Sequence, residues 1–254
     1  MRIAIENNVF VRIAGEGQRA IWFIHGYGDS GWSFVPLFGT ELARDFALLV
    51  PDLPGFGVSP PQLDRASIDG MADVVVGLID RVTPTGPIGL VGHSLGGPIA
   101  VRVVRRLAAR VRALFSVEGN LTAADAYFSG KAAEADDPAA FRASFTDTIW
   151  RLGATRADVR RYHGSLALAD PETLWHLGRS STPASRDGSF GVDYRSLTCP
   201  TLYYWSELTT PDVTQRYLDE HAIAQRQYRD AGHWPMVDIP GETGLAMSEF
   251  FRAS

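Results

Sequence analysis

Apolar and polar residues alternate over residues 2–14, which predicts a pair of short strands broken at Gly15-Glu16-Gly17. Further along, the pattern changes to short, largely apolar runs at 20–24, 46–50, 88–92, 113–117 and 201–205, with a weaker one at 225–229. Apolar runs of that length suit strands buried on both faces. Between them lie segments of helical periodicity: 32–44, 68–82, 96–110, 212–221 and 240–251. Strands alternating with helices predict right-handed crossovers and a mostly parallel sheet flanked by helices.

From about 120 to 196 the texture differs. Aromatic, alanine-rich and acidic stretches of helical spacing are separated by Asp137-Pro138 and Asp170-Pro171, with no apolar strand run. This predicts an insertion of three to five helices. The expected organisation is a core domain of 1–119 and 197–254 carrying a helical cap of 120–196. No repeat or low-complexity linker separates them, so the cap is expected to pack on the core.

One junction carries chemistry. The run Ile88-Gly89-Leu90-Val91-Gly92-His93 ends in Ser94-Leu95-Gly96-Gly97, and a helical segment follows at once. A serine in a sharp strand-to-helix turn projects its hydroxyl outward, and the flanking glycines leave room where a Cβ would collide. The helix N-terminus beneath points N–H groups at charge developing nearby. The pattern Gly-x-Ser-x-Gly is short enough to arise by chance, and the strand before and helix after give it weight.

Composition narrows the setting. The 254 residues are 45% hydrophobic, enough for a sizeable core, and the net charge of −5 offers no basic field for nucleic acid or an anionic membrane. Lys131 is the only lysine, and Arg102, Arg105, Arg106 and Arg110 read as one solvated helix face. With Cys199 alone, neither a disulfide framework nor a cysteine metal cluster is expected. No apolar leader or membrane-length run is visible, which makes cytoplasmic residence the expectation. Nothing in the pattern specifies an oligomeric state.

The order of elements, with four motifs in sequence, resembles the α/β-hydrolase fold superfamily. The motifs are His25-Gly26, Asp52-Leu53-Pro54-Gly55-Phe56-Gly57-Val58-Ser59, Gly92-His93-Ser94-Leu95-Gly96-Gly97 and Ala231-Gly232-His233-Trp234-Pro235. Each is weak alone; together they cover 20–118 and 197–252. The resemblance implies an eight-stranded sheet with Ser94 as nucleophile and His233, on the loop after the last strand, as its base. The expected oxyanion donors are the backbone N–H groups of Tyr27 and Leu95.

The acid departs from the common pattern. Many relatives carry an aspartate four residues beyond the tryptophan that ends the strand at 201–205; here that position is Thr209. Threonine cannot supply the charge that orients an imidazole and stabilises imidazolium. Glu118, at the end of the strand after the nucleophile helix, is the favoured substitute, since some α/β-hydrolases, including a group of haloalkane dehalogenases, place the acid there. Glu207 and Asp212 are the alternatives. Asp52 is expected to be structural, and Asp29 and Ser30 to bond the local backbone.

A serine at 94 excludes the dehalogenase and epoxide hydrolase chemistries of this fold, which need a carboxylate there. The expected reaction is hydrolysis through an acyl-enzyme, with no cofactor and no metal. A carboxylesterase of small to medium apolar or aromatic esters ranks first. Alternatives are a cofactor-free carbon–carbon bond hydrolase of ring-cleavage diketones, a thioesterase, a lactonase or a perhydrolase, and, outside catalysis, a ligand receptor or scaffold. Expected pocket residues are Gly26, Trp32, His93, Tyr127, Trp150, Trp175 and Trp234, within a cap also rich in aromatics at Phe128 and Tyr162.

Overall fold

The computed structural model describes residues 1–254. Its eight strands are β1 (Arg2–Glu6), β2 (Val9–Ala14), β3 (Arg19–Ile24), β4 (Phe46–Pro51), β5 (Ile88–His93), β6 (Val111–Val117), β7 (Thr201–Trp205) and β8 (Gln225–Gln227). They form one sheet in the order β1-β2-β4-β3-β5-β6-β7-β8. Only β2 runs against its neighbours; every pairing from β4 to β8 is parallel. Strands β3, β5 and β6 are buried almost throughout, as their largely apolar runs require.

The helices are α1 (Leu42–Asp45), α2 (Ile68–Val82), α3 (Gly96–Leu107), α4 (Pro138–Gly153), α5 (Ala157–Leu166), α6 (Pro171–Arg186), α7 (Ser189–Arg195), α8 (Asp212–Glu220), α9 (Pro235–Asp238) and α10 (Pro240–Ala253). Helix α2 begins where Ser67 accepts from the Gly70 amide, and it buries Ile68, Met71, Ala72, Val75, Leu78 and Ile79, one face at helical spacing. The expected helix at 32–44 is a correction. The chain there forms a 3-10 segment, Gly31–Gly39, then the single turn α1. Pro36 lies inside that segment and has no N–H to donate, which removes an α-helical bond at its centre.

Four helices, α4 to α7, and two 3-10 segments lie between β6 and β7. The Asp-Pro pairs that interrupt the sequence texture start two of them. Asp137 accepts from the Ala140 amide and Asp170 from the Thr173 amide, with proline at the first helical position. Phe141, Phe145, Tyr162, Leu166, Leu174 and Leu177 belong to the same buried cluster as Val91 and Phe115 of the sheet.

Asp52, just after β4, is fully buried and bidentate to the buried Arg12 of β2, at 2.6 and 3.1 Å. It also accepts from the Gly31 and Val58 amides, so it ties together the turns around β4. The arginines of α3 are paired rather than free: Arg106 reaches Asp69 and Asp73 and Arg105 reaches Asp193, while Arg110, in the 3-10 turn that follows, reaches Asp80. No helix is long and apolar enough to cross a membrane.

Candidate active site

Ser94 follows β5 directly and has φ +51°, a left-handed backbone that few non-glycine residues adopt. Its neighbours make the turn possible. A Cβ on Gly92 would lie 2.7 Å from the Gly96 carbonyl oxygen, and one on Gly96 would lie 2.7 Å from the His25 carbonyl oxygen. Larger residues at either position would push the strand, helix and β3 loop apart. The turn is also laced to β6, because the Ser94 amide donates to Val117 (3.0 Å) and Asn120 donates to the Ser94 carbonyl (3.2 Å).

Glu118 follows β6 directly, turning the chain at φ +43°, and is 5% exposed. Its amide donates to the Tyr204 carbonyl of β7 at 2.9 Å. Oε2 accepts from His233 Nδ1 at 2.5 Å. Oε1 accepts from the Tyr228 hydroxyl at 2.5 Å and from the Thr209 hydroxyl. With the proton on Nδ1 committed to the carboxylate, Nε2 is the free basic nitrogen. Glu207 and Asp212 are both exposed and neither is brought to His233.

The His233 loop is held from several sides. The Gly232 amide donates to Asp238 (2.9 Å), the His233 amide to Asp158 of α5 (3.4 Å), and the His233 carbonyl accepts from His93 Nε2 (2.8 Å). His93 is therefore a donor through Nε2, and burial first, then the neighbouring His233, hold its pKa well below the ordinary value. His25 donates from Nδ1 to the Gly26 carbonyl and accepts at Nε2 from the Leu53 amide, so it too is neutral; burial lowers its pKa.

That bond fixes the loop Gly26-Tyr27. The Tyr27 carbonyl accepts from Tyr162 and its own hydroxyl donates to the Leu174 carbonyl, both at 2.7 Å. The amides of Tyr27 and Leu95 have no acceptor within the chain and belong to residues lining one cavity with Ser94 and His233. Two unpaired donors in the same cavity as a serine hydroxyl can receive negative charge that develops there.

The cavity holds about 20 Å³, room for one water. Of the expected pocket residues, Gly26, His93, Tyr127 and Trp234 line it. Asp29, Asn120, Phe128 and Tyr162 line it as well. Trp234 is locked by its indole N–H on Asp29 (2.9 Å) and a stack on Tyr162 with centroids 5.1 Å apart. Asp29 also accepts from the Ser30 amide, as expected of a turn former.

Three pocket expectations are corrected. Trp32 is 51% exposed, covers the Arg12 guanidinium and lines a separate outer cavity of about 170 Å³. Trp150 is 64% exposed in a groove between α4 and α5, against His163. Trp175 turns its indole N–H to the Ala135 carbonyl and carries Arg179 over its ring. For Trp150 and Trp175 helical spacing fixed a face without fixing what that face meets; Trp32 lies near the active centre in sequence, on a 3-10 segment whose packing turns it outward. The missed participants are Thr209 and Tyr228. Thr209 had a signal, since it stands where a carboxylate was expected; Tyr228, at the end of a weak strand, had none.

The model for the Alpha/beta hydrolase family matches residues 23–243. Over 260 residues the chain is 26% identical to a pimeloyl-acyl-carrier-protein methyl ester esterase of Sodalis glossinidius, covering 96% of this chain and 97% of that protein. It spans only 27% and 26% of the length of the first curated relatives it matches. Among solved structures, a thermophilic esterase from Thermogutta terrifontis superposes with TM-score 0.76 at 21% identity, covering 96% of this chain and 93% of that one. The N-acyl homoserine lactonase AidH does so with TM-score 0.77 at 19% identity, covering 99% and 96%. Such identities speak for the fold, and the family match over most of the length goes further: the chain belongs to the alpha/beta hydrolase family.

Proposed function

We propose that the chain is a serine esterase that works through an acyl-enzyme, with Ser94 as nucleophile, His233 as base and Glu118 as the acid partner of His233. The observation that carries this reading is the buried Glu118–His233 pair, 2.5 Å apart, whose histidine lines one cavity with a serine held at φ +51°. Ser94 Oγ attacks the ester carbonyl and passes its proton to His233 Nε2. The carbonyl oxygen takes the negative charge and accepts from the Tyr27 and Leu95 amides. The intermediate collapses, the C–O bond breaks and the leaving alcohol takes the proton from Nε2. Water then attacks the acyl carbon with Nε2 as base, releasing the acid and restoring Ser94.

Residues 120–196 act as a cap on a core of 1–119 and 197–254, contributing Tyr127, Phe128 and Tyr162 to the cavity. With room for about one water, the cavity admits an ester only if those rings move aside. The methyl ester named for the Sodalis relative supports an oxygen ester as the substrate class.

Fluorophosphonate labelling tests the reading against a non-catalytic receptor on the same fold. Labelling of the wild type, its absence in Ser94→Ala, and a kcat loss of roughly 10⁴–10⁶ for His233→Ala on p-nitrophenyl acetate are expected. A folded wild type that takes no label sinks it.

A further inference from the structure

Glu118 offers two carboxylate oxygens, and only Oε2 meets His233. Oε1 is met by two hydroxyls, Tyr228 at the end of β8 and Thr209 beyond β7, so acid, threonine and tyrosine come from the ends of three neighbouring strands. A glutamate has one more rotatable bond than an aspartate, and its terminal torsion is soft. A carboxylate reaching His233 on that longer arm needs something to fix the last rotation. Two donors on the far oxygen do that.

The Tyr228 hydroxyl has one proton and two acceptors within reach, Glu118 Oε1 at 2.5 Å and the Gly232 carbonyl at 3.1 Å. The shorter, charge-assisted bond takes the proton. Burial first, and the Glu118 charge second, push the phenol well above its usual pKa, so it remains a donor at working pH. Thr209 is half-buried on a surface cleft, where an unpaired threonine hydroxyl would be solvated; its bond to Glu118 is not forced by burial.

We propose that Thr209 and Tyr228 are positioning residues for this site: their hydroxyls clamp Oε1 of Glu118 so that Oε2 stays on His233 Nδ1. The proposal rests on the assignment of Glu118 and His233 made above. It gives a role to the threonine that stands where relatives carry an acid. Position 209 still serves the histidine, by holding the carboxylate that does so.

The test compares Thr209→Val, Thr209→Ser, Tyr228→Phe and Glu118→Gln on p-nitrophenyl acetate, together with the downfield proton NMR resonance of His233 Nδ1–H. Loss of one hydrogen bond to a charged group is expected to lower kcat roughly ten- to a hundredfold in Thr209→Val and Tyr228→Phe, with KM within about twofold of wild type. Thr209→Ser restores kcat. The Nδ1 resonance, absent in Glu118→Gln, shifts or broadens in Thr209→Val and returns in Thr209→Ser. Valine fits the half-buried site at 209, so the Thr209 pair decides the matter even if Tyr228→Phe fails to fold. Wild-type kcat and an unmoved resonance in Thr209→Val, with Glu118→Gln inactive, overturn the clamp and leave the triad standing. Wild-type kcat in Glu118→Gln overturns the acid assignment itself.

Discussion

A carboxylate 5% exposed at the end of a central strand is costly to desolvate unless donors surround it. Glu118 has three, and all three are side chains from distant parts of the chain. That concentration of partners on one residue makes its removal informative. Glu118→Gln keeps size and shape but presents an amide with no charge to the imidazole. On p-nitrophenyl acetate, kcat is expected to fall about 10⁴-fold, while Glu207→Gln and Asp212→Asn, both solvent-facing, stay near wild type. Near-wild-type kcat in the Glu118 variant alone would rule out its role. At this scale the sequence was legible where local pattern encodes geometry: Ser94 between glycines, and His233 on a loop after the last strand. The bonds of Thr209 and Tyr228 were not, because a hydroxyl bonding a residue 91 or 110 positions away leaves no local trace; only the missing carboxylate at 209 marked that position at all.

Elements carry the next part of the site. Strands β6 and β7 pair in parallel with Val117 opposite Tyr204, so the chain leaving each strand emerges beside the other. Glu118 and Thr209 meet because of that register, and either strand end is a seat from which a carboxylate can approach His233. The double variant Glu118→Gln/Thr209→Asp is therefore expected to regain at least about tenfold in kcat over Glu118→Gln. Equal activity of the double and single variants would show that β7 no longer offers a working seat. The same elements show what pattern reading captures. Residues 68–82 and 201–205 form the helix and strand their apolar spacing predicts, because each buries one continuous set of residues. The segment from 31 to 45 does not, since proline at 36 outweighs its helical spacing. Trp150 and Trp175 sit on helices correctly read as helices, yet neither faces Ser94: the packing of α4 and α6 decides where a face points, and no periodicity encodes it.

Across the whole molecule, two buried neutral histidines join the loops that surround Ser94. His25 links the β3 loop to the turn after β4, and His93 links the end of β5 to the His233 loop. Both have pKa values lowered by burial; Asp29, Asp52 and Arg12 act on His25, and His233 acts on His93. In the unfolded chain each titrates near 6.5. Below that pH the unfolded state binds protons that the folded state refuses. Stability is then complete above 6.5 and falls with acidification, by at most about 1.4 kcal/mol per pH unit for each histidine. Protonation of His25 would also cost the bond from the Leu53 amide, since Nε2 would cease to accept. Buried Asp125 works in the opposite sense. Burial raises its pKa, so the folded state holds its proton more tightly and gains relative stability as pH falls through that range. The histidine effect should therefore set in near 6.5, reach its full slope about one pH unit lower, and flatten at the acid end. Urea unfolding between about pH 7.5 and about pH 5.5 is expected to give a falling midpoint for wild type and a shallower fall for His93→Gln. Glutamine can still donate to the His233 carbonyl but has no proton to take up. A wild-type midpoint that stays level across the range would mean that neither histidine is held neutral by the fold.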